Sequence, residues 1–154
     1  MTSMDNDLTY PLTFSGIRPG EELTVKELIA DAGLAVPNLN SDLLTHFIVA
    51  RKGDAIVGTV GLEPAGKIAL LRSLAVAKDH RRQAVATRLV AAIEKYARSH
   101  GVSTLYLLTM DAADFFLRRS FRRVDRESVP EGMKATEEFR LLCADTAQCL
   151  CKHL

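Results

Sequence analysis

Arg81, Arg82 and Gln83 stand between an apolar run that ends at Leu74-Ala75-Val76 and a stretch that begins Ala84-Val85-Ala86-Thr87. A strand that ends, a tight turn over Ala77 to His80 and a helix that then begins would leave unpaired N–H groups pointing outward with partial positive charge. Such a helix start suits a pyrophosphate. Small residues in its first turn let phosphate oxygens approach the backbone, and Arg81 and Arg82 can add charge-assisted bonds. A basic turn ahead of an ordinary surface helix would read the same way.

Other groups could also do chemistry. Cys143, Cys149 and Cys151 form a soft donor set that suits a thiophilic ion such as arsenite. Their plainer reading is one small strand residue and two tail thiols. Arg118, Arg119, Arg122, Arg123 and Arg126 resemble a nucleic-acid patch, but a helix end and a strand scatter them and little aromatic interleaving accompanies them.

The elements that would position these residues follow from periodicity. Leu12 to Arg18 reads as a strand closed by Pro19-Gly20. Glu21 to Ala32 reads as a helix stopped at Gly33, Pro37 to Asn40 as a turn, and a short helix capped by Ser41 or Asp42 follows. Phe47 to Arg51 and Ala55 to Glu63 form a hairpin, and Ile68 to Val76 a third strand. Gln83 to Ser99 is a helix with Val85, Leu89, Ile93, Tyr96 and Ala97 on one stripe and Arg88, Glu94, Lys95 and Arg98 toward water. Thr104 to Thr109 is a buried strand, Asp111 to Arg119 a short helix capped by Asp111, and Phe121 to Arg126 a strand. A turn or short helix follows Pro130, Glu138 to Cys143 is the last strand, and a short tail ends the chain. The strand–helix–strand run from Ile68 to Leu108 implies a parallel crossover. The class is α/β (α+β), and residues 1–154 read as one domain.

The 154 residues are 47% apolar and 25% charged with a formal charge of +1, an ordinary globular balance. That charge recruits neither nucleic acid nor an anionic membrane, so any anion must be held locally. Met1 to Pro11 is polar and lacks the apolar core of a secretory signal. No run is long enough to span a bilayer, and three clustered cysteines fit reduced thiols in a cytoplasmic protein.

Leu74-Ala75-Val76 followed by Arg81 through Ala86 resembles the signature of the GNAT acetyltransferase superfamily, Arg/Gln-x-x-Gly-x-Gly/Ala after a Leu-x-Val strand end. Asp114 through Phe121 resembles its later motif, which usually ends in Gly-Phe. Leu70 to Val76, Leu105-Tyr106-Leu107-Leu108-Thr109, Phe115-Phe116 and Thr136-Glu137-Glu138-Phe139 through Leu142-Cys143 look like the branch found in bacterial arsenic-resistance operons. The resemblance implies a mixed, mostly antiparallel sheet of about six to seven strands flanked by helices on both faces. It implies acetyl-CoA as cosubstrate and a small-molecule amine as acceptor, an amino-acid-like or arsenical toxin being the resistance reading. The family often forms homodimers. Alternatives of another class are a non-catalytic cofactor-binding module and a metalloid-binding protein built on the three cysteines.

Three positions depart from the pattern: Ala84 and Ser120 stand where the family has glycine, and Phe116 where many members have tyrosine. If position 84 needs a left-handed backbone, alanine costs about 1–2 kcal/mol; if it is simply a first helical turn, alanine is the better helix former. Phe116 cannot donate a proton, but a thiol with a pKa of about 8.5 can leave as its anion.

The resemblance also distributes roles. Leu74, Ala75, Val76, Arg81, Arg82, Gln83, Ala84, Val85, Ala86 and Thr87 are the expected cofactor-binding set, with N–H groups near Leu74 and Val76 polarising the thioester carbonyl. Glu63 is the expected base, its plainer role being a solvated strand-end charge; His46 is the lesser candidate. Arg72 shares strand parity with Leu74 and Val76, so it would face the same way and meet a substrate carboxylate or pair with Glu63. Ser73 and Thr109 offer hydroxyls to the acceptor. No metal is expected in the reaction.

Overall fold

Strand β2 (Phe47–Lys52) is buried at its first five positions, and β3 (Ala55–Ala65) is buried from 57 to 62, so the sequence there runs apolar without alternating. Both faces of these strands are covered. The computed structural model describes residues 11–34, 36, 39–81, 84–136, 138–142 and 146–154. The other strands are β1 (Leu12–Gly16), β4 (Ile68–Val76), β5 (Thr104–Thr109), β6 (Arg122–Val124) and β7 (Gln148–His153). They form one mixed sheet of seven strands in the order β1-β2-β3-β4-β5-β7-β6. The helices are α1 (Glu22–Asp31), α2 (Ser41–Leu44), α3 (Val85–Ser99), α4 (Ala113–Leu117) and α5 (Glu131–Lys134). None is long and apolar enough to cross a membrane among the described residues.

The chain divides into two compact units, Met1–Gly61 with Ser73–Ile93 and Leu62–Arg72 with Glu94–Leu154. In the first, β1 pairs with β2 and β2 with β3, both antiparallel. Val25 and Ile29 of α1 and Leu44 of α2 pack on Phe47 and Val49 of β2. Gly58 pairs with Ala50, which points away from that face, and Val85 and Leu89 of α3 close over Gly58. Helices therefore cover both faces of this unit. Arg51, almost fully buried, holds Glu21 and Ser15 by hydrogen bonds and donates to the Gly16 carbonyl at 3.1 Å, tying the residue ahead of α1 to β1 and β2.

In the second unit β4 runs parallel to β5, β5 antiparallel to β7, and β7 antiparallel to β6. Leu70, Tyr106, Leu108 and Cys149 share the face on which Met133 of α5, Val129 and Phe139 pack. On the opposite face Lys152 reaches Glu94 of α3 with both carboxylate oxygens at 3.0 Å.

Several expectations are corrected. Residues 138–142 are a π-helical turn, entered through an α-type bond from the Arg140 N–H to the Thr136 carbonyl at 3.1 Å, and not the last strand. The expected tail is instead β7, buried at Cys149, Leu150 and Cys151 because it lies between two strands. α3 begins at Val85, two residues later than expected, because Ala84 leaves helical torsions. Glu94 is buried by its bond to Lys152 and does not face water. Asn40, not Ser41 or Asp42, caps α2 by accepting from the Leu43 N–H at 2.9 Å. Asp111 caps nothing; the Thr109 hydroxyl accepts the Ala112 N–H at 2.9 Å and leads into α4. Met1 to Tyr10, Pro37, Asn38, Arg82, Gln83 and Cys143, on which other expectations fall, lie outside the described residues.

Candidate active site

The first candidate site is the turn between β4 and α3. β4 releases its last residues into a bend held by the Ala77 N–H on the Val57 carbonyl at 2.8 Å. A single 3₁₀ turn, Lys78–His80, follows, closed by the His80 N–H on the Ala77 carbonyl at 2.8 Å. The Arg81 Nε–H reaches back to the Val76 carbonyl at 3.3 Å, so this guanidinium braces the turn it was expected to electrify.

Ala84 then adopts φ +58°, the left-handed region, and is exposed. The condition left open by the sequence is met on its costly side. α3 follows at once, its first turn closed by the Arg88 N–H on the Ala84 carbonyl at 3.1 Å. The amides of Val85 and Ala86 precede any donor that a helix can satisfy internally. Val85 is buried and anchors this end against Gly58, whereas Ala86 is half-buried and Thr87 exposed. On the strand side, Ala75 is buried and Leu74 and Val76 are half-buried.

Ser73, buried within β4, has φ +59°. A left-handed residue inside a strand interrupts alternation, so the parity that was to place Arg72 on one face with Leu74 and Val76 does not carry across it.

A second group of candidate residues belongs to the other unit. Arg72 shares the face of Ile68 and Leu70, and Glu63 that of Ala65, all turned toward Val129, Met133 and Phe139. The Arg72 Nη1–H donates to Glu63 Oε1 at 3.0 Å, and the two side chains are 2% and 22% exposed. The buried guanidinium thus has the protein acid that the sequence offered as its alternative partner. Glu138, at the start of the π-helical turn, joins them. Burial pushes its carboxyl up to about 7, against the pull of Arg72 and with a push from Glu63. Its Oε2 is buried and has no hydrogen-bond partner among the described residues. Sequence reasoning missed this residue as an acid: Glu138 lay in a block quoted for its resemblance, but was read as a strand residue.

Other candidates are drawn elsewhere. The Thr109 oxygen is occupied by the Ala112 amide, as described. Phe116 is buried in an edge-to-face cluster with Phe115 and Phe121 at 5.0 and 5.4 Å between centroids. Ser120, immediately before Phe121, has φ +73°. Cys149 and Cys151 are buried in β7, and burial raises both thiols, Cys149 to about 11. Since the thiolate is the metal ligand, that environment opposes soft-ion binding. No group of three His, Cys, Asp or Glu is placed to hold a metal among the described residues. The arginines are engaged separately: Arg119 over the Phe115 ring at 3.6 Å, Arg123 on Gln148 at 2.8 Å, Arg126 on the Phe139 carbonyl at 3.4 Å.

Comparison with known proteins gives a consistent picture. The acetyltransferase (GNAT) family matches residues 15–122. N-acetyltransferase 8B of Rattus norvegicus is 31% identical over 122 residues, covering 73% of this chain and 55% of the relative. The chain spans about half the length of the curated relatives it matches first. Among solved structures, N-acetylglutamate synthase from Neisseria gonorrhoeae, complexed with coenzyme A and N-acetyl-glutamate, superposes with a TM-score of 0.81 at 18% identity, covering 94% of this chain and 35% of that one. Rv2747 from Mycobacterium tuberculosis, in complex with CoA and NLQ, superposes with a TM-score of 0.79 at 19% identity, over 92% of this chain and 99% of that one. At these identities the structural likeness is one of fold.

Proposed function

Because the chain belongs to the acetyltransferase (GNAT) family, we propose that it transfers the acetyl group of acetyl-CoA to the amino group of a small molecule. The observation that carries this reading is the turn itself: Ala84, an L-residue, is held left-handed and exposed at the head of α3. That torsion costs about 1–2 kcal/mol for alanine, so its retention argues for a shape that serves a ligand. The turn fits the cosubstrate, because the amides of Val85 and Ala86 open toward an anion and the neighbouring side chains are small. Arg81 keeps the turn closed, and Arg82, Gln83 and Thr87 complete the set by sequence. Leu74, Ala75 and Val76 supply backbone groups for the pantetheine arm and the thioester carbonyl.

Acetyl-CoA supplies an activated thioester: the amine lone pair forms the C–N bond as the C–S bond breaks, that bond's pair leaves on sulfur, and the nitrogen releases its surplus proton to water to leave the neutral amide. Phe116 offers this sulfur no proton, so departure as the thiolate is the proposed route. We treat residues 1–154 as one acetyltransferase domain, since the family match crosses both compact units. The free, buried thiols of Cys149 and Cys151 support a cytoplasmic setting.

The acceptor is proposed to be amino-acid-like. A buried arginine near the end of the second unit's β4 segment suits a carboxylate, and the synthase superposed above is complexed with an N-acetylated amino acid. An amine-bearing arsenical or a glutamate-like toxin is the finer version, supported by the sequence blocks alone. Calorimetric titration with acetyl-CoA and a thiol-release assay across amino acids test the proposal. Arg72→Ala should raise KM for a carboxylate-bearing acceptor at least tenfold while leaving acetyl-CoA affinity unchanged. No association at millimolar acetyl-CoA would sink the transferase reading; binding without thiol release would leave a non-catalytic module.

A further inference from the structure

Within Leu62–Arg72 and Glu94–Leu154, three charged side chains act on one another: Arg72 and Glu63 from the sheet face packed by Val129, Met133 and Phe139, and Glu138 from the π-helical turn. Two of them pair with each other. Arg72 and Glu63 form an ion pair at 3.0 Å. The third is left with a buried oxygen and no donor among the described residues. A carboxyl in that state raises a question of cost, because a buried acceptor without a partner is destabilising. The backbone around it is also unusual, since five residues starting at Glu138 wind as a π-helix, a form enriched at functional sites.

We propose that Glu138 is the base that takes the proton from the acceptor's ammonium group, with Arg72 positioned by Glu63 beside it. The inference rests on the transferase reading and names a residue that reading did not use. Glu63 was the acid expected from sequence, but its Oε1 is committed to Arg72, whereas Glu138 Oε2 has no such commitment. The charged groups acting on Glu138 are Arg72 from β4 and Glu63 from β3. On its own turn Arg140 is exposed, and Arg126, which packs over the Phe139 ring, spends its Nη2–H on the Phe139 carbonyl.

A base works best when its pKa lies near the operating pH, so that much of it is ionised while it still holds a proton firmly. Burial, opposed by Arg72 and assisted by Glu63, brings Glu138 to about 7. The step balances simply. The ammonium N–H bond breaks, its electron pair stays on nitrogen as the nucleophilic lone pair, and the proton becomes the O–H proton of Glu138. Glu138 later returns that proton to water.

The test joins a kinetic profile to a direct titration. Glutamate side chains labelled with carbon-13 at the carboxyl carbon should show one resonance titrating near neutrality, absent from Glu138→Gln. With the wild-type protein, kcat/KM should carry an acid limb at the same pH. Glu138→Gln should lose that limb and about 100-fold in kcat, with acetyl-CoA affinity within twofold of wild type. Glu138→Asp should recover part of the loss. Glu138→Gln turning over within threefold of wild type with its acid limb intact would overturn the assignment while the transferase reading stands. So would a wild-type profile and carboxyl titration with nothing near neutrality, a result that needs no variant to fold. Wild-type protein that binds acetyl-CoA but acetylates no amine would overturn both.

Discussion

Ala84 and Ser120 each hold a torsion that an L-residue adopts at a cost, φ +58° and +73°, at the two positions where glycine was expected from the resemblance. Glycine removes the strain but loses more freedom on folding, so Ala84→Gly and Ser120→Gly should each stabilise by about 0.5–1 kcal/mol in denaturant melts. Only Ala84→Gly should also tighten acetyl-CoA, because only that methyl group stands at the head of α3. Glu138 should behave in the opposite sense to most carboxylates. Its folded pKa is raised, so the folded state binds the extra proton between the ordinary carboxylate range and about 7, and stability falls as pH rises through that window. Glu138→Gln should therefore be more stable than wild type at pH 8 and show little difference at pH 4, in paired urea titrations. The turn was legible in the sequence as a strand end and a helix start, because those signals lie within a few positions of each other. Glu138 was not, because its distinction is burial beside β3 and β4, and nothing in Glu137-Glu138-Phe139 distinguishes one glutamate from the next.

At the scale of elements, close packing explains which residues were free to vary. A methyl group on Gly58 would lie 2.9 Å from Leu89, 3.1 Å from Val85 and 3.2 Å from the Ala75 carbonyl oxygen. The carbonyl cannot yield as a side chain can, so Gly58→Ala should push α3 outward and cost about 1–3 kcal/mol by thermal melting. Strands β4 and β5 and the hairpin stand where periodicity placed them, because Ile68–Val76 and Thr104–Thr109 are apolar runs of strand length between clear turns. β7 was not legible. Gln148-Cys149-Leu150-Cys151-Lys152-His153 is short and carries two residues that more readily suggest thiol chemistry than sheet interior. Only the partners on either side, β5 and β6, make it a strand. The π-helical turn was mistaken for that strand because Glu138-Phe139-Arg140 alternates in polarity over too few residues to exclude a helix.

For the molecule as a whole, β4 and α3 each run from one compact unit into the other, so one cooperative melting transition is expected. Its acid sensitivity should depend on Glu21, whose carboxyl is held below its ordinary range chiefly by the hydrogen bond from Arg51. A depressed pKa contributes stability that is complete above the unfolded value and fades as pH falls through the folded one. Glu21→Ala should cost about 3 kcal/mol at pH 7, because it strands the buried Arg51 guanidinium, and the deficit should shrink as the wild type loses the pair in acid. The position of β7 has a consequence for synthesis and turnover. A product that stopped short of Gln148, or was clipped there, would present β5 as a raw edge and leave β6 with no neighbour. Bare edges recruit foreign strands, so such fragments should aggregate or be degraded, giving the cell a built-in proofreading of chain completeness.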